Sequence, residues 1–343
     1  MKKVINLFFW LKHQITCFGI VGFLRCIFSY THSLWLPSKE LLNPFRKKII
    51  ILTFSINPII AQIWSINIQK FLDSKYFDFL IIDSSGQLKN SDIKGANIIY
   101  FPNIEHGKKI DFFMHRLNYK FVWVWDDDLF IIDSNIETDI LEKIKLDNVF
   151  AISYYSRDQK IISKKNINLP AIGSYCVCFN RNVFLNENLS CQVKKTEDNN
   201  INWGRGYYDT CDFSQKIAMD LGYEIISFKH NSIVTFMGTS ILYLKLKTSL
   251  NNFDKFTIDL LRFPTDWRRI SGFIGSTYCL IKIYDLYLEF VNKKVNWIPP
   301  INETQLMEIN TKLDNKDAKI RSNEYIKKYE MVYKLVRQSL KNA

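Results

Sequence analysis

Glycine and proline are scarce in this chain, 12 and 8 among 343 residues. That excludes a loop-dominated or disordered protein, since such chains are rich in flexible and helix-breaking residues and poor in apolar material to bury. The seven cysteines are an odd set with no Cys-x-x-Cys pair and no zinc spacing. Neither a disulfide framework nor a structural zinc is expected, and a reducing compartment is. Cys176 and Cys178 alternate on one candidate strand, so they share a face and belong to a core. No helix-turn-helix, zinc-finger or RNA-stacking pattern occurs, which argues against a nucleic-acid partner. No internal repeat is visible. The apolar runs before residue 38 are broken by Lys12, His13 and Arg25, well short of the roughly 20 residues a spanning helix needs. No small-residue cleavage site follows them, so a secretory signal is a poor match.

Aromatics are plentiful: 26 Phe, 17 Tyr and 8 Trp allow a sizeable core. The length suits one α/β domain with added elements, or two modest domains. Lysine and arginine exceed aspartate and glutamate by twelve. That excess fits a phosphate-bearing ligand or an anionic membrane surface, or simply a soluble Lys-rich exterior. Residues 1–45 open with Lys2 and Lys3 and continue as basic, aromatic and apolar groups. Two readings stay open: a helix lying in a membrane interface, or one packed on the protein's own core.

KKIIILTFSIN, about residues 47–56, reads as a strand buried on both faces. Pro58 opens a helix. FDFLIIDSSG is a second strand ending at Asp83, and ANIIYFP a third. A helix starts near His106, and KFVWVW is a fourth strand. Helix–strand alternation with short connections predicts a mostly parallel sheet flanked by helices. A helix near ETDILEKIKL, strands at VFAISYYS and AIGSYCVCFN, and a helix over YYDTCDFSQKIAMDLGY follow. Residues 241–300 read as helical, aromatic and basic. Residues 303–343 read as a charged solvent-facing helix or a partly disordered tail.

The fourth strand runs straight into Asp126, Asp127 and Asp128. Neighbouring carboxylates at the end of a buried strand must be paired, protonated or metal-bound, and a hard divalent cation holds them at least cost. Thr53, Ser55 and Asp83 also sit at strand carboxyl ends, where α/β sheets bind ligands. The alternatives are a solvated acidic turn for the aspartates and an ordinary turn for Asp83-Ser84-Ser85-Gly86.

The order IIILTFSIN, FLIIDSSG, NIEHG, FVWVWDDD, YYDTCDFSQKIAMDLGY resembles the GT-A (Rossmann-like) glycosyltransferases, in particular the family 2 type, over about residues 47–240. The resemblance implies a nucleotide-sugar donor and a DxD motif for Mn²⁺ or Mg²⁺. Asp128 would ligate the metal directly. Asp126 would act through the ribose or a metal-bound water, with Asp127 as the alternative. Asp83 would read the base, with Thr53 and Ser55 lining the base and ribose pocket. His230 would be a third metal ligand, and Arg205 would contact acceptor or pyrophosphate. The sequence departs from the family at Thr210, where the catalytic aspartate usually stands, so either Asp209 is the base with a shifted register, or Asp212 is, or the mechanism differs, unless both aspartates are helix caps. Inversion by direct displacement is the family's expectation.

Three other readings compete with this one. A HAD-type phosphohydrolase needs Thr or Val where Phe130 stands, and its motif belongs on the first strand. A sugar nucleotidyltransferase lacks its Gly-rich loop in LTFSINPI. A catalytically inactive membrane-peripheral scaffold keeps the fold without the reaction. The expected organisation is a basic extension (1–45), a catalytic domain (46–240, with a donor half to 135 and an acceptor half from 136) and a helical basic region with a charged tail (241–343). The acceptor is expected to be a glycan or lipid-linked, in surface polysaccharide or glycolipid synthesis. The enzyme is expected in the cytoplasm, its basic, aromatic flanks at residues 1–45 and 241–300 either docking it on the inner membrane face or forming a dimer interface. The sequence does not specify sugar, nucleotide, linkage or oligomeric state.

Overall fold

The computed structural model of the protein describes residues 2–35, 49–156, 160–165, 167–197, 206–228, 232–236, 238–239, 243, 267–293 and 298–341. β1 is Ile49–Ser55, and all seven of its residues are buried. Such burial needs a neighbour on each edge and a layer on each face. β2 (Phe77–Asp83) and β4 (Phe121–Trp125) supply the edges, both parallel to β1. Between them, α2 (Pro58–Phe71) starts with proline in its first turn, and Asn57 caps it by accepting the Ile59 N–H at 3.0 Å. β3 (Asn97–Tyr100) joins β2, and α3 (His106–Arg116) leads back to β4.

β5 (Leu129–Ile131) and α4 (Asn135–Lys143) follow, then β6 (Val149–Ser153), β7 (Lys160–Ile162), β8 (Asn168–Pro170), β9 (Cys176–Asn180) and α5 (Arg181–Asn186). Next come β10 (Lys194–Lys195), β11 (Tyr207–Tyr208), α6 (Asp212–Leu221), β12 (Glu224–Ser227) and β13 (Ile233–Thr235). The main sheet has seven strands in the order β12-β6-β9-β4-β1-β2-β3. All neighbours are parallel except β9, which runs antiparallel to β4 and β6. From β1 the chain builds outward to β3 and then crosses to β4 on the other side. β1 and β4 therefore flank a switch point, where a crevice opens at the strand carboxyl ends. The fold is of the α/β class expected from the sequence, a mostly parallel sheet flanked by helices.

One face of the sheet packs against α2 and three further helices: α7 (Trp267–Phe290), α8 (Glu303–Thr311) and α9 (Lys316–Lys341). The charged tail is thus an ordered helix, with Tyr329, Val332, Val336 and Leu340 buried in the same core as Ile49 and Ile51. Asn67 of α2 gives Ile131 of β5 a rung of pairing: its side chain donates to the Ile131 carbonyl at 2.9 Å and accepts the Ile131 N–H at 2.7 Å. The same amide reaches the Ser339 hydroxyl at 3.4 Å, near the end of α9. The other sheet face is covered by α3, α5 and α6.

α1 (Lys2–Trp35) is broken at Gly19, whose φ of 73° and ψ of 162° are not helical. Gln14, Cys17, Phe18, Gly22 and Cys26 are buried on the domain, so packing on the protein's own core accounts for one side of it. A Cβ on Gly86, which has φ +64°, would stand 2.2 Å from the Gly22 carbonyl oxygen, so only glycine fits where α1 crosses the turn after β2. Arg25 Nη1 donates to the Gly86 carbonyl at 3.1 Å, Cys26 Sγ to the Asp83 carbonyl at 3.6 Å, and Gln87 Nε2 to the Phe18 carbonyl at 3.4 Å.

The expectation of unpaired cysteines is corrected at one pair. Cys191 and Cys211 form a disulfide, while Cys17, Cys26, Cys176, Cys178 and Cys279 are buried outside any disulfide. Spacing could not announce the pair, because a tertiary contact makes it: the Cys211 N–H donates to the Cys191 carbonyl at 3.1 Å.

Candidate active site

The three aspartates follow β4 at the switch point, and each is held differently. Asp126 continues the pairing with the neighbouring strand, its N–H donating to the Tyr175 carbonyl at 2.7 Å. Asp127 turns back to β1 and accepts the Ser55 hydroxyl. Asp128 is wrapped by the segment after β13: its carbonyl accepts the Phe236 N–H at 2.9 Å and its carboxylate the Thr239 hydroxyl at 3.2 Å. The β5–β13 ladder fixes this wrap, pairing Leu129 with Thr235 and Ile131 with Ile233.

α3 brings two further groups. His106 Nε2 stands 3.9 Å from Asp126 Oδ1 and is buried without a hydrogen-bond partner. Lys109 is buried, its ammonium 3.4 Å from Asn103 Oδ1 and 5.2 Å from the Phe54 ring centre.

Burial, then repulsion from Asp128 and Asp127, pushes the Asp126 carboxyl well above the usual carboxylate range, partly offset by Lys109. Burial and then Asp127 push Asp128 up to about 7, against hydrogen bonds from Thr239 and Gly238. Burial lowers Lys109 to about 8 despite the attraction of Asp127 and Asp126. Burial and Lys109 lower His106 to about 3, so its imidazole is neutral at physiological pH. The cluster holds more negative charge than its surroundings compensate, which a cation relieves.

The donor set fits a hard divalent cation, because carboxylate oxygens are the ligands Mg²⁺ and Mn²⁺ prefer. Asp128 and Asp126 are the residues that would hold it. Among the described residues no group of three His, Cys, Asp or Glu is arranged to hold a metal ion, so further ligand atoms would have to come from the bound substrate or from elsewhere in the chain. His230 and Arg205 lie outside the described residues.

Asp83 and Thr53 are buried at the ends of β2 and β1. Asp83 Oδ1 accepts the Ser85 N–H at 2.7 Å and the Ser85 hydroxyl at 2.6 Å, while Oδ2 accepts the Leu88 N–H at 2.9 Å. The carboxylate thus braces its own turn, the alternative the sequence left open, and reading a base with it requires giving up one of these bonds. Burial raises the Asp83 carboxyl while those hydrogen bonds pull it back. The Thr53 hydroxyl is buried without a partner, which costs free energy unless a ligand completes it.

Asp209 and Asp212 meet at the start of α6. Asp212 is fully buried and accepts the Asp209 N–H at 3.2 Å, so it holds the turn together. Asp209 is half-buried, one oxygen accepting the Thr210 N–H at 2.8 Å. α6 is coupled to the aspartates through the chain before β9. Gln215 accepts the Ile172 N–H at 2.9 Å and donates to the Pro170 carbonyl at 2.8 Å, and Tyr175 ends that segment at Asp126.

Sequence reasoning missed Lys109, His106 as a neighbour of Asp126, and Thr239. For Lys109 a signal existed: it lies four residues before Phe113 on the helix face that α3 buries.

No protein-family profile and no curated protein sequence matches the chain. Solved structures similar to it include a mannosyltransferase from Pyrobaculum calidifontis in complex with GDP-Man and Mn²⁺, with 10% identity, a TM-score of 0.42 and 97% of each chain covered. S. aureus TarS 1-349 matches with 10% identity, a TM-score of 0.34, and 83% of this chain and 92% of that one covered. The bifunctional IspDF from Campylobacter jejuni has 11% identity and a TM-score of 0.34 over 54% of this chain and 50% of that one. At such scores the functional reading rests on this chain's own residues.

Proposed function

We propose that the protein is a glycosyltransferase that moves a sugar from a nucleotide-sugar donor to a glycan or lipid-linked acceptor in surface polysaccharide or glycolipid synthesis. The observation that carries the reading is the under-compensated carboxylate cluster, Asp126 to Asp128, at the switch point between β1 and β4. A ligand bearing phosphate and a divalent cation answers both its charge and its location. Bound there, Mg²⁺ or Mn²⁺ supplies positive charge to the departing diphosphate. Lys109 and the Ser55–Asp127 bond keep the carboxylates in position from beneath. Asp209, the more accessible carboxylate at the start of α6, takes the proton of the acceptor hydroxyl as that oxygen attacks the anomeric carbon. The bond from that carbon to the diphosphate oxygen breaks in the same step, which inverts the anomeric centre. The protein works in the cytoplasm, peripheral on the inner membrane face.

Calorimetric titration with UDP, GDP and dTDP, each with and without Mn²⁺, tests the reading. One nucleotide is expected to bind, and only with the metal; no binding of any of the three under either condition would sink it. Lys109→Met, which keeps the volume and removes the cation, is expected to weaken that binding about tenfold with the circular dichroism spectrum unchanged. Unaltered affinity would mean that Lys109 has no part in the site.

A further inference from the structure

α1 has two unlike faces. Inward, Gly22, Arg25 and Cys26 close over the turn that Asp83 braces. Outward stand Ile20, Val21, Leu24 and Phe28, exposed by 60, 61, 41 and 68%, and positions 20, 24 and 28 follow one stripe of the helix. Contrary to the reading of the broken apolar runs as too short, residues 14–32 are by length and composition long and apolar enough to cross a membrane, with mean hydropathy 1.3 and only 22% of the window buried. The single charge at Arg25 does not outweigh the apolar residues around it. Residues 1–39 carry Lys2, Lys3, Lys12, Arg25 and Lys39 and no aspartate or glutamate, within a chain of net charge +12.

Three occupants of the stripe can be compared. Crossing a bilayer would break the bonds from Arg25 and Cys26 to the turn after β2 and drag the buried Gln14 into hydrocarbon, and the break at Gly19 divides the rod. A second copy would bring two acid-free basic segments together across a twofold axis, like against like. An anionic bilayer accepts the apolar stripe at its acyl boundary and the lysines among its headgroups.

We propose that α1 lies in the plane of an anionic bilayer, seated by Ile20, Val21, Leu24 and Phe28, and never spans it. Its inner face is the wall over the Asp83 turn, so the bilayer holds the mouth of the donor pocket at headgroup level. That second clause rests on the glycosyltransferase reading; the docking itself does not.

The test is co-sedimentation of the full chain with phosphatidylcholine vesicles, with and without phosphatidylglycerol. The wild type is expected to bind only the anionic vesicles and to be released by alkaline carbonate. The double variant Val21→Asp/Phe28→Asp is expected to bind at least about tenfold more weakly. Met331→Asp, an exposed apolar position on α9 (59%), is expected to bind like the wild type. All three side chains are exposed, so melting temperatures should agree. Failure to bind, binding indifferent to the double variant, or retention after carbonate would each overturn the proposal. So would a wild-type dimer, by light scattering, that the double variant dissolves. Vesicle binding without any nucleotide binding would leave the docking standing and remove the donor reading alone.

Discussion

Asp128→Asn is expected to lower sugar transfer and Mn²⁺-dependent nucleotide binding by about a thousandfold, and to make the ligand-free protein more stable. The first effect follows because asparagine keeps the shape but supplies neither the charge nor the proton equilibrium of the carboxylate. The second follows from the sign of the shift. Folding raises Asp128 from 3.8 to about 7, so the folded state binds the proton more tightly than the unfolded chain. The resulting penalty is absent below the ordinary carboxylate pKa, grows as pH rises through that window, and is complete above the folded value. Melting temperatures should therefore gain more from Asp128→Asn at a pH of about 8 than of about 5. A variant less stable at the higher pH would mean that Asp128 is a structural brace for the 236–239 segment.

Asp209→Asn is expected to reduce the rate of transfer by about a hundred- to ten-thousandfold, the range for loss of a general base, with nucleotide affinity unchanged. Asp212→Asn should behave differently. Its carboxylate is fully buried and accepts the Asp209 N–H, so its loss should appear mainly as a stability cost of about 1–3 kcal/mol. Transfer rates and calorimetric affinities on both variants, beside their melting temperatures, separate the roles. If Asp212→Asn kept its stability and lost transfer while Asp209→Asn stayed active, the assignment of the base would be reversed.

The parallel strands of residues 46–135 were legible because double-faced burial writes itself as unbroken apolar runs: IIILTFS, FLIID and FVWVW are strands with the boundaries the sequence suggested to within a few residues. The direction of β9 was not legible. CVCFN has the same composition whether it runs with or against β4, and only the return from β8 decides. The stripe of α9 was hidden among lysines, since Tyr329, Val332 and Val336 are spaced on one face of a segment whose average is polar. At the site, residue types pointed to the aspartates but not to their partners. Thr239, Ser55 and Lys109 reach the cluster from segments far apart in the chain, and α1 covers the Asp83 turn through a glycine–glycine contact that has no motif.

The side-chain amide of Asn67 stands in for a missing strand beside β5, and it is itself met by Ser339, two residues before the end of α9. The loop bearing the aspartates is therefore moored, through one amide, to α9, 272 residues from Asn67 along the chain. Chimeras joining this sheet to another protein's tail at residue 240 would have to match that mooring as well as the core beneath it.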